Sequence, residues 1–440
     1  MAGDKKKVII IGAGAAGLMA GVMAACEGAD VTILEKNEKA GKKIYITGKG
    51  RCNFTNMCAP EDFFSHVRRN SRFMYSSFYA MTNEDVAAFF QNAGMKVKIE
   101  RGNRAFPESD HASDVTGSLV RLLNRYDAKI RFGVKVKHIL TGKNGDGKGE
   151  TAKGVILDDG TQIFSDAVIV CTGGLSYPST GSTGDGYALA RETGHTVTAC
   201  LPSLVPLRVR EEKMCVQMQG LSLKNVRLRM TRGKKTIYDE LGEMLFTHFG
   251  VSGPLVLTAS TLLPVSKAGT EFDLSDICLH IDLKPALSEK QLDERILREI
   301  AAAENKQVKT ILHKLFPSKM IPVMIGLCGI DPETKCNCLT REQRTVLAGM
   351  TKDLVLHVTG TGGFVEAIIT RGGVDVKQIR PDTMESKLVS GLFFAGEVLD
   401  LDAVTGGFNL QIAWSCGAAA GRGAGSHKCK ELRVESGDGI

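Results

Sequence analysis

The apolar and polar positions of the first 36 residues are arranged as in a strand, a helix and a second strand. The β-branched run Val8–Ile11 stops at Gly12 and predicts a buried strand. The Ala-, Met- and Leu-rich stretch Ala15–Glu27 predicts a helix, and the β-branched run Asp30–Leu34 predicts a strand that ends at Glu35. Together they form a βαβ unit, which places two parallel strands in one sheet.

Farther along the chain the pattern changes twice. Helical spacing over Asp114–Tyr126 is followed by strand-like runs such as Ala128–Leu140, and then by short strands such as Asn225–Met230 with no helix between them. Residues 288–350 have helical spacing. We therefore predict one α/β nucleotide-binding domain that an insert interrupts. The predicted parts are its first part (1–196), a β-rich insert (197–285), a helical insert (286–353), its second part (354–425) and a flexible tail (426–440).

The composition narrows the class of protein. A chain of 440 residues with 43% hydrophobic and 24% charged residues is expected to form more than one soluble globular domain. The net charge is +7, but no dense Lys/Arg run is interleaved with aromatic residues, so we expect no nucleic-acid partner. No run of 18 apolar residues exists, so we expect no membrane span. Twelve cysteines without a secretory signal or a C-x-x-C motif indicate reduced thiols, no metal site and a cytoplasmic location.

The turn after the first strand has the spacing G-x-G-x-x-G. Gly12 permits the tight turn, Gly14 lets the backbone approach a pyrophosphate, and Gly17 allows close packing of helix on sheet. The helix that follows presents unpaired N–H groups and the positive end of its dipole to the phosphates. Glu35, 18 positions after Gly17, is placed to accept hydrogen bonds from ribose hydroxyls. This context predicts a bound dinucleotide.

Two features favour FAD, held non-covalently, over NAD. A second strand–Gly–acid turn, Leu392–Glu397, occurs more than 350 residues after the first, which suits a ligand with a long ribityl chain and a large ring. No second G-x-G-x-x-G follows a strand, so NAD(P)H is expected only as a transient electron donor. Glu35 also disfavours a 2′-phosphate at this site because two negative charges would meet.

Several motifs resemble one family. They are GAGAAGLMAG (12–21), GKKIYITGKGRCNFTN (41–56), FPESDHASDV (106–115), GGLSYPSTGSTGDGYALA (173–190), FTHFGVSGP (246–254) and the block 370–421. On these stretches the chain resembles the BaiN-like (YhiN-type) NAD(P)/FAD-dependent oxidoreductases, also labelled aminoacetone oxidase family FAD-binding enzymes. The resemblance implies a Rossmann-type FAD domain, an inserted β-barrel-like domain and a small helical domain. It also implies kinship with fumarate reductases and ketosteroid dehydrogenases, in which flavin N5 exchanges hydride with a carbon next to an activated double bond.

The predicted FAD contacts extend beyond the first turn. Lys43 and Arg51 bring positive charge to the pyrophosphate or the flavin N1/O2 edge, unless they are solvated loop cations. Val136 lies against adenine or belongs to the plain core, and Glu397 accepts from ribityl hydroxyls. The helix after Gly407 directs its N-terminus at flavin O2. The complete predicted set is Gly12, Gly14, Ala15, Ala16, Gly17, Glu35, Lys36, Lys43, Gly48, Arg51, Cys52, Asn53, Val136, Thr172, Gly173, Gly174, Gly396, Glu397, Gly407, Asn409 and Leu410.

Catalysis has a weaker basis in the sequence. A flavin reductase needs a proton donor near the substrate, and His248 and Tyr177 are the two candidates, each with a structural role as the alternative. Cys52 beside Arg51 is a candidate activated thiolate, but no resolving cysteine accompanies it at disulfide-reductase spacing.

The expected function is FAD-dependent oxidation or reduction of a small organic molecule. The first hypothesis is NAD(P)H-linked hydride transfer to a conjugated C=C of an oxo-steroid or bile-acid-like substrate. The second is an amine or aminoketone oxidase that uses O₂. The third is a flavin-dependent protein that modifies or binds RNA.

Overall fold

The computed structural model describes residues 5–143 and 149–425. The chain forms two compact units, one of Met1–Pro202 with Ile368–Ile440 and the other of Ser203–Ala367. The predicted tail 426–440 and residues 144–148 lie outside the described residues. No helix in the described ranges combines the length and apolar character needed to cross a membrane.

A five-stranded parallel sheet organises the first unit. Its strands, in spatial order, are Leu392–Phe394, Ala167–Val170, Lys7–Ile11, Asp30–Glu35 and Lys129–Phe132. Because all five run in one direction, their carboxyl ends meet at one edge of the sheet, where ligands of doubly wound folds bind. The turns after Ile11, Val170 and Phe394 therefore emerge side by side. The predicted βαβ unit and the Rossmann-type fold are confirmed.

Smaller sheets and helices surround this sheet. The remaining strands of the unit include Val136–Lys143, Glu150–Leu157, Gln162–Phe164 and Val389–Ser390 in one sheet, Thr55–Asn56, Arg104–Pro107 and Val97–Glu100 in another, and Ile369–Arg371. Its helices are Ala15–Cys26, Lys42–Ile46, Pro60–His66, Tyr75–Ala80, Asn83–Asn92, Ala112–Arg125, Asp185–Glu192 and Phe408–Gly425. One continuous hydrophobic core joins these elements.

The predicted single strand Ala128–Leu140 is two strands in the structure. Lys129–Phe132 completes the main sheet, whereas Val136–Lys143 pairs with Glu150–Leu157 in another sheet. Gly133 lies between them with φ of 70°, a left-handed conformation that turns the chain out of the first sheet. The apolar pattern continues across this turn, so hydrophobicity alone did not mark the break.

The first and last helices of this unit pack together through small residues. A Cβ built on Gly417 would lie 2.5 Å from the Ala16 carbonyl oxygen, and one on Gly421 would lie 2.3 Å from the Ala20 carbonyl oxygen. Only glycine therefore allows the two backbones to approach this closely. The contact helps to bury the first helix, in which every residue from Ala16 to Ala25 is buried.

The second unit is a closed antiparallel barrel with attached helices. Its strands, in spatial order, are Leu207–Val209, Gly250–Ser252, Lys235–Phe246, Ser222–Arg232, Ile277–Asp282 and Leu354–Thr361. Its helices are Glu212–Gln217, Pro254–Ser260, Glu289–Ala301, Val308–Leu312, Ile321–Leu327, Arg341–Lys352 and Gly363–Glu366. Barrel and helices share one hydrophobic core, so the two predicted inserts form one compact unit.

One predicted boundary differs from the structure. The sequence pattern predicts that residues from 354 onward belong to the second part of the nucleotide domain, but Leu354–Thr361 closes the barrel by pairing with Ile277–Asp282 and Leu207–Val209. The chain returns to the first unit at Ile368. An alternating strand pattern shows that one face is buried without showing which sheet the strand joins.

The contact between the first and last helices can be tested at Gly421. We expect Gly421→Ala to lower the free energy of unfolding by about 1–3 kcal/mol because the added methyl group must push two backbones apart. Gly117→Ala is the matched control, since the atom nearest to its added Cβ is the flexible end of Arg121, at 3.2 Å. This control should leave stability unchanged or raise it by up to ~1 kcal/mol. Urea unfolding followed by circular dichroism measures both, and equal midpoints for the two variants would contradict the close contact.

Candidate active site

The first glycine-rich turn has the geometry that its spacing predicts. Gly12 has φ of 101°, and a Cβ there would lie 2.6 Å from the Cys171 carbonyl oxygen. A Cβ on Gly17 would lie 1.9 Å from the Gly12 carbonyl oxygen, so Gly17 is needed for close packing. Gly14, by contrast, is the N-cap of the helix, and a Cβ on it would meet nothing within 4 Å. The open space beside Gly14 lies where a phosphate would approach the helix N-terminus.

Glu35 closes the adjacent side of the turn. Its Oε2 accepts a hydrogen bond from the Ala13 N–H at 2.7 Å, and its Oε1 accepts from the backbone and side-chain amides of Asn37 at 2.8 and 2.7 Å. The side chain is buried, and Oε2, which accepts only one hydrogen bond, keeps acceptor capacity for a further donor. Glu35 is therefore fixed in orientation before any ribose arrives.

The end of the neighbouring strand supplies a second wall. Thr172 and Gly173 follow Ala167–Val170 and line the same cleft. The Thr172 Oγ1 atom is buried and has no hydrogen-bond partner within the described residues. A buried hydroxyl without a partner is costly, and a ligand that supplies one removes the cost.

Two segments about 350 residues apart in the sequence meet just before the last helix. A Cβ on Gly407 would lie 2.5 Å from the backbone of Thr55, and Asn56 Nδ2 donates to the Gly406 carbonyl oxygen at 2.9 Å. The last helix begins just beyond, and its Asn409 exchanges hydrogen bonds with the backbone of Ala403. Backbone packing and a hydrogen bond thus hold the segment after the second strand against the turn before the last helix.

These turns surround a cleft with an empty volume of about 1320 Å³, part of it open to solvent. The predicted FAD contacts that line it are Gly12, Gly14, Ala15, Ala16, Glu35, Lys36, Lys43, Val136, Thr172, Gly173, Glu397, Asn409 and Leu410. The predicted contacts outside the lining are Gly17, Gly48, Arg51, Cys52, Asn53, Gly174, Gly396 and Gly407. Some of the latter act by packing: a Cβ on Gly396 would lie 2.7 Å from the Ala16 Cβ, and one on Gly174 would lie 2.4 Å from Thr370 Oγ1.

Two lysines that line the cleft, Lys36 and Lys43, are paired with acids. Lys36 Nζ lies 2.6 Å from Asp185 Oδ2, and Lys43 Nζ lies 2.6 Å from Glu397 Oε2. Each ammonium group is therefore held by the protein rather than left as a solvated loop cation, which was the alternative interpretation for Lys43.

Arg51 and Cys52 lie outside the lining of the cleft. The Arg51 guanidinium forms ion pairs with Glu100 and Asp110 and lies over the Phe106 ring, 4.4 Å from its centroid. It anchors its loop to a neighbouring hairpin, and its contact with FAD stays a prediction. Cys52 is fully buried, and this burial raises the pKa of its thiol, the opposite of the lowered pKa that an activated thiolate needs.

The loop around these residues is held in an unusual conformation. Lys49 and Cys52 both have φ close to 60°, a left-handed conformation for residues other than glycine, and Gly48 shares it. Asn53 follows, and its Oδ1 is buried without a hydrogen-bond partner in the described part of the chain.

The two candidate proton donors lie in different units. Tyr177 is half-buried in the first unit, with φ of 50°, and it follows Ser176, whose hydroxyl contacts the cleft residue Glu397. His248 is exposed in the barrel unit, where its ring lies edge-on to Phe249 with centroids 4.8 Å apart.

Sequence reasoning missed Ser176 and Thr370. Both are fully buried, and both donate hydrogen bonds to Glu397 Oε1, from the Ser176 hydroxyl and from the Thr370 backbone amide. Serine and threonine are common in loops, so their residue types gave no signal. The resemblance blocks 173–190 and 370–421 contain them, but the resemblance did not single them out.

The residues present fit FAD. The open space beside Gly14 suits a pyrophosphate. The Thr172 hydroxyl, which has no partner in the described residues, suits a polar group of the ligand. The fixed carboxylate of Glu35 suits a ribose. With the parallel sheet, this cleft defines the class of an FAD-dependent oxidoreductase with a Rossmann-type fold. Residues 6–423 match the family described as HI0933-like protein Rossmann domain, and the chain belongs to that family.

Named relatives share nearly the full length of the chain. The 3-dehydro-bile acid delta(4,6)-reductase of Clostridium scindens is 32% identical over 421 residues, which cover 95% of this chain and 98% of the relative. The ribosomal RNA dihydrouridine synthase of Haemophilus influenzae is 33% identical over 413 residues, which cover 92% and 95%. The predicted family, enzyme class and FAD cofactor are confirmed.

A solved structure supports the fold. The 3-ketosteroid-delta4-(5alpha)-dehydrogenase from Rhodococcus jostii RHA1 aligns with a TM-score of 0.52 over 97% of this chain and 99% of that chain. Its sequence identity is 14%, so this likeness concerns the fold alone.

The open space beside Gly14 generates a test of the cleft. We expect Gly14→Val to weaken FAD binding by more than about tenfold because the side chain would occupy the space left for the phosphates. Folding should be unaffected, since φ of −81° suits valine and nothing lies within 4 Å of its Cβ. Flavin absorbance of the purified protein, together with its unfolding midpoint, measures both. A Gly14→Val protein that retains FAD like the wild type would place the cofactor elsewhere.

Proposed function

We propose that the protein uses FAD to add hydride to a carbon–carbon double bond conjugated with a carbonyl group in a small oxo-steroid or bile-acid-like molecule. Two relatives that are nearly equally identical to this chain support the proposal, because the reactions denoted by their names share one chemistry. One name denotes reduction of delta-4 and delta-6 double bonds in a 3-oxo bile acid. The other denotes formation of dihydrouridine, in which the C5–C6 double bond conjugated with the uracil C4 carbonyl is saturated.

The cleft residues are suited to hold and shield the cofactor. FAD, when bound, supplies the N5 position that carries hydride between donor and substrate. In our proposal Glu35 accepts hydrogen bonds from the adenosine ribose, and Glu397 accepts them from the ribityl hydroxyls. Ile44, Ile369 and Leu410 give the lining an apolar part that excludes water.

Tyr177 is our preferred proton donor. Saturation of a conjugated double bond needs a proton at the carbon next to the carbonyl group after hydride has been added at the far carbon. Tyr177 belongs to the unit that contains the cleft and directly follows Ser176, which bonds to Glu397. His248 remains the second candidate.

A uridine in RNA is the second candidate substrate. The Haemophilus influenzae relative favours it, and so does a surface that the linear sequence did not reveal. Tyr75 and Tyr79 are 46% and 51% exposed on the helix Tyr75–Ala80, Phe64 stacks on Tyr75 with centroids 4.1 Å apart, and exposed Arg72 lies just before this helix. Exposed aromatic rings beside arginine provide stacking positions for unpaired bases.

Anaerobic flavin spectroscopy distinguishes these functions. We expect NADH or NADPH to bleach the bound FAD and a 3-oxo-4,6-diene steroid to restore its absorbance, because the substrate takes the hydride. An aminoketone donor should leave the flavin oxidised. Rapid bleaching by the aminoketone but not by NAD(P)H would overturn the reductase proposal in favour of an oxidase. Reoxidation by a uridine-containing RNA but not by the steroid would overturn the small-molecule substrate.

The proton donor has its own test. We expect Tyr177→Phe to slow steroid-dependent reoxidation by about 10²-fold or more, the usual contribution of a general acid. Bleaching by NAD(P)H should be unchanged because it requires no protonation of substrate carbon. His248→Gln serves as the comparison, and stopped-flow absorbance measures both half-reactions. A large loss in His248→Gln with none in Tyr177→Phe would exchange the two assignments.

A further inference from the structure

Two opposite charges in the lining of the cleft bind each other. Lys43 Nζ lies 2.6 Å from Glu397 Oε2 and 2.5 Å from Ser176 Oγ, and it also donates to the Ser176 carbonyl oxygen at 3.4 Å. The Lys43 and Glu397 side chains are only 25% and 11% exposed, respectively. The ammonium group of Lys43 therefore donates its hydrogen bonds to Glu397 and Ser176.

The other oxygen of Glu397 is held as firmly. Its Oε1 accepts from the Ser176 hydroxyl at 2.5 Å and from the Thr370 amide at 3.0 Å. The Thr370 hydroxyl in turn accepts from the amide of Leu175 at 2.8 Å. Three separate stretches of chain, around 43, 176 and 370, thus fix the carboxylate of Glu397.

This arrangement has an electrostatic consequence. In a partly dry cleft a carboxylate without a counter-charge would repel any further negative charge, and reduced flavin is more negative than oxidised flavin. The ammonium group of Lys43 cancels most of this repulsion. If either partner loses its charge, the remaining one acts on the flavin alone, and the two losses have effects of opposite sign.

We propose that Lys43 is a positioning residue that orients Glu397 and neutralises its charge, so that the pair sets both the affinity for FAD and the ease with which FAD is reduced. This proposal rests on the FAD part of the proposed function and not on its substrate. This role explains why a lysine lines the cleft although its N–H groups already donate hydrogen bonds to Glu397 and Ser176.

The test compares the midpoint potential of bound FAD in single and double variants. We expect Lys43→Met to shift the potential to more negative values and to weaken FAD binding by about tenfold, since it leaves Glu397 unpaired. Glu397→Gln should shift the potential to more positive values because it leaves the ammonium group uncompensated. Lys43→Arg, and the double variant Lys43→Met with Glu397→Gln, should return the potential towards that of the wild type.

Lys352→Met is the matched control. Lys352 forms a similarly buried ion pair with Asp282, at 2.6 Å, in the barrel unit, so its loss should affect stability but neither FAD affinity nor potential. Photoreduction against reference dyes and titration of the stripped protein with FAD need no substrate. If wild type binds FAD and the two single variants shift the potential in the same direction, or not at all, the proposal is wrong. If Lys43→Met does not fold, the sign of the shift in Glu397→Gln decides the question. If wild type binds no FAD, the proposed function itself fails.

Discussion

The structure of the FAD unit depends on how closely its first helix can approach the backbone around it. Gly17 places this helix against the preceding turn, where even a methyl group would overlap the Gly12 carbonyl oxygen, and Gly421 places the last helix against it. With both contacts made, the N-terminus of the first helix is fixed at the edge of the sheet where the carboxyl ends of the five parallel strands meet. The anion-binding end of the helix and the turns that complete the cleft are then set by backbone packing.

Much of this arrangement was predictable from the sequence, because its causes are local. The β-branched run Val8–Ile11, the glycine spacing that follows and the acid at Glu35 each specify a backbone conformation or a hydrogen bond within one βαβ unit. The strand–Gly–acid turn Leu392–Glu397 was also recognisable, and it joins the same sheet beside Ala167–Val170.

The features that the sequence did not reveal depend on distant partners. The ion pairs of Arg51 could not be read from the sequence, because Glu100 and Asp110 lie some 50 to 60 positions away. The strand Leu354–Thr361 has an ordinary alternating pattern, and only pairing shows that it closes the barrel. Ser176 and Thr370 have no distinctive residue type and gain their role only when folding brings them to Glu397.

Joined by these contacts, the cleft combines a phosphate-binding turn, a fixed acid at each of two turns and a partly apolar lining, which suits a dinucleotide carrying a flavin. Titration of the cofactor-free protein with FAD and with FMN, followed by flavin fluorescence, tests this central claim most directly. Because Glu35 and the first helix would hold the adenosine half, the account predicts that FAD binds with one-to-one stoichiometry and that an equal concentration of FMN does not displace it. Equal binding of FMN, or no binding of either flavin, would contradict it.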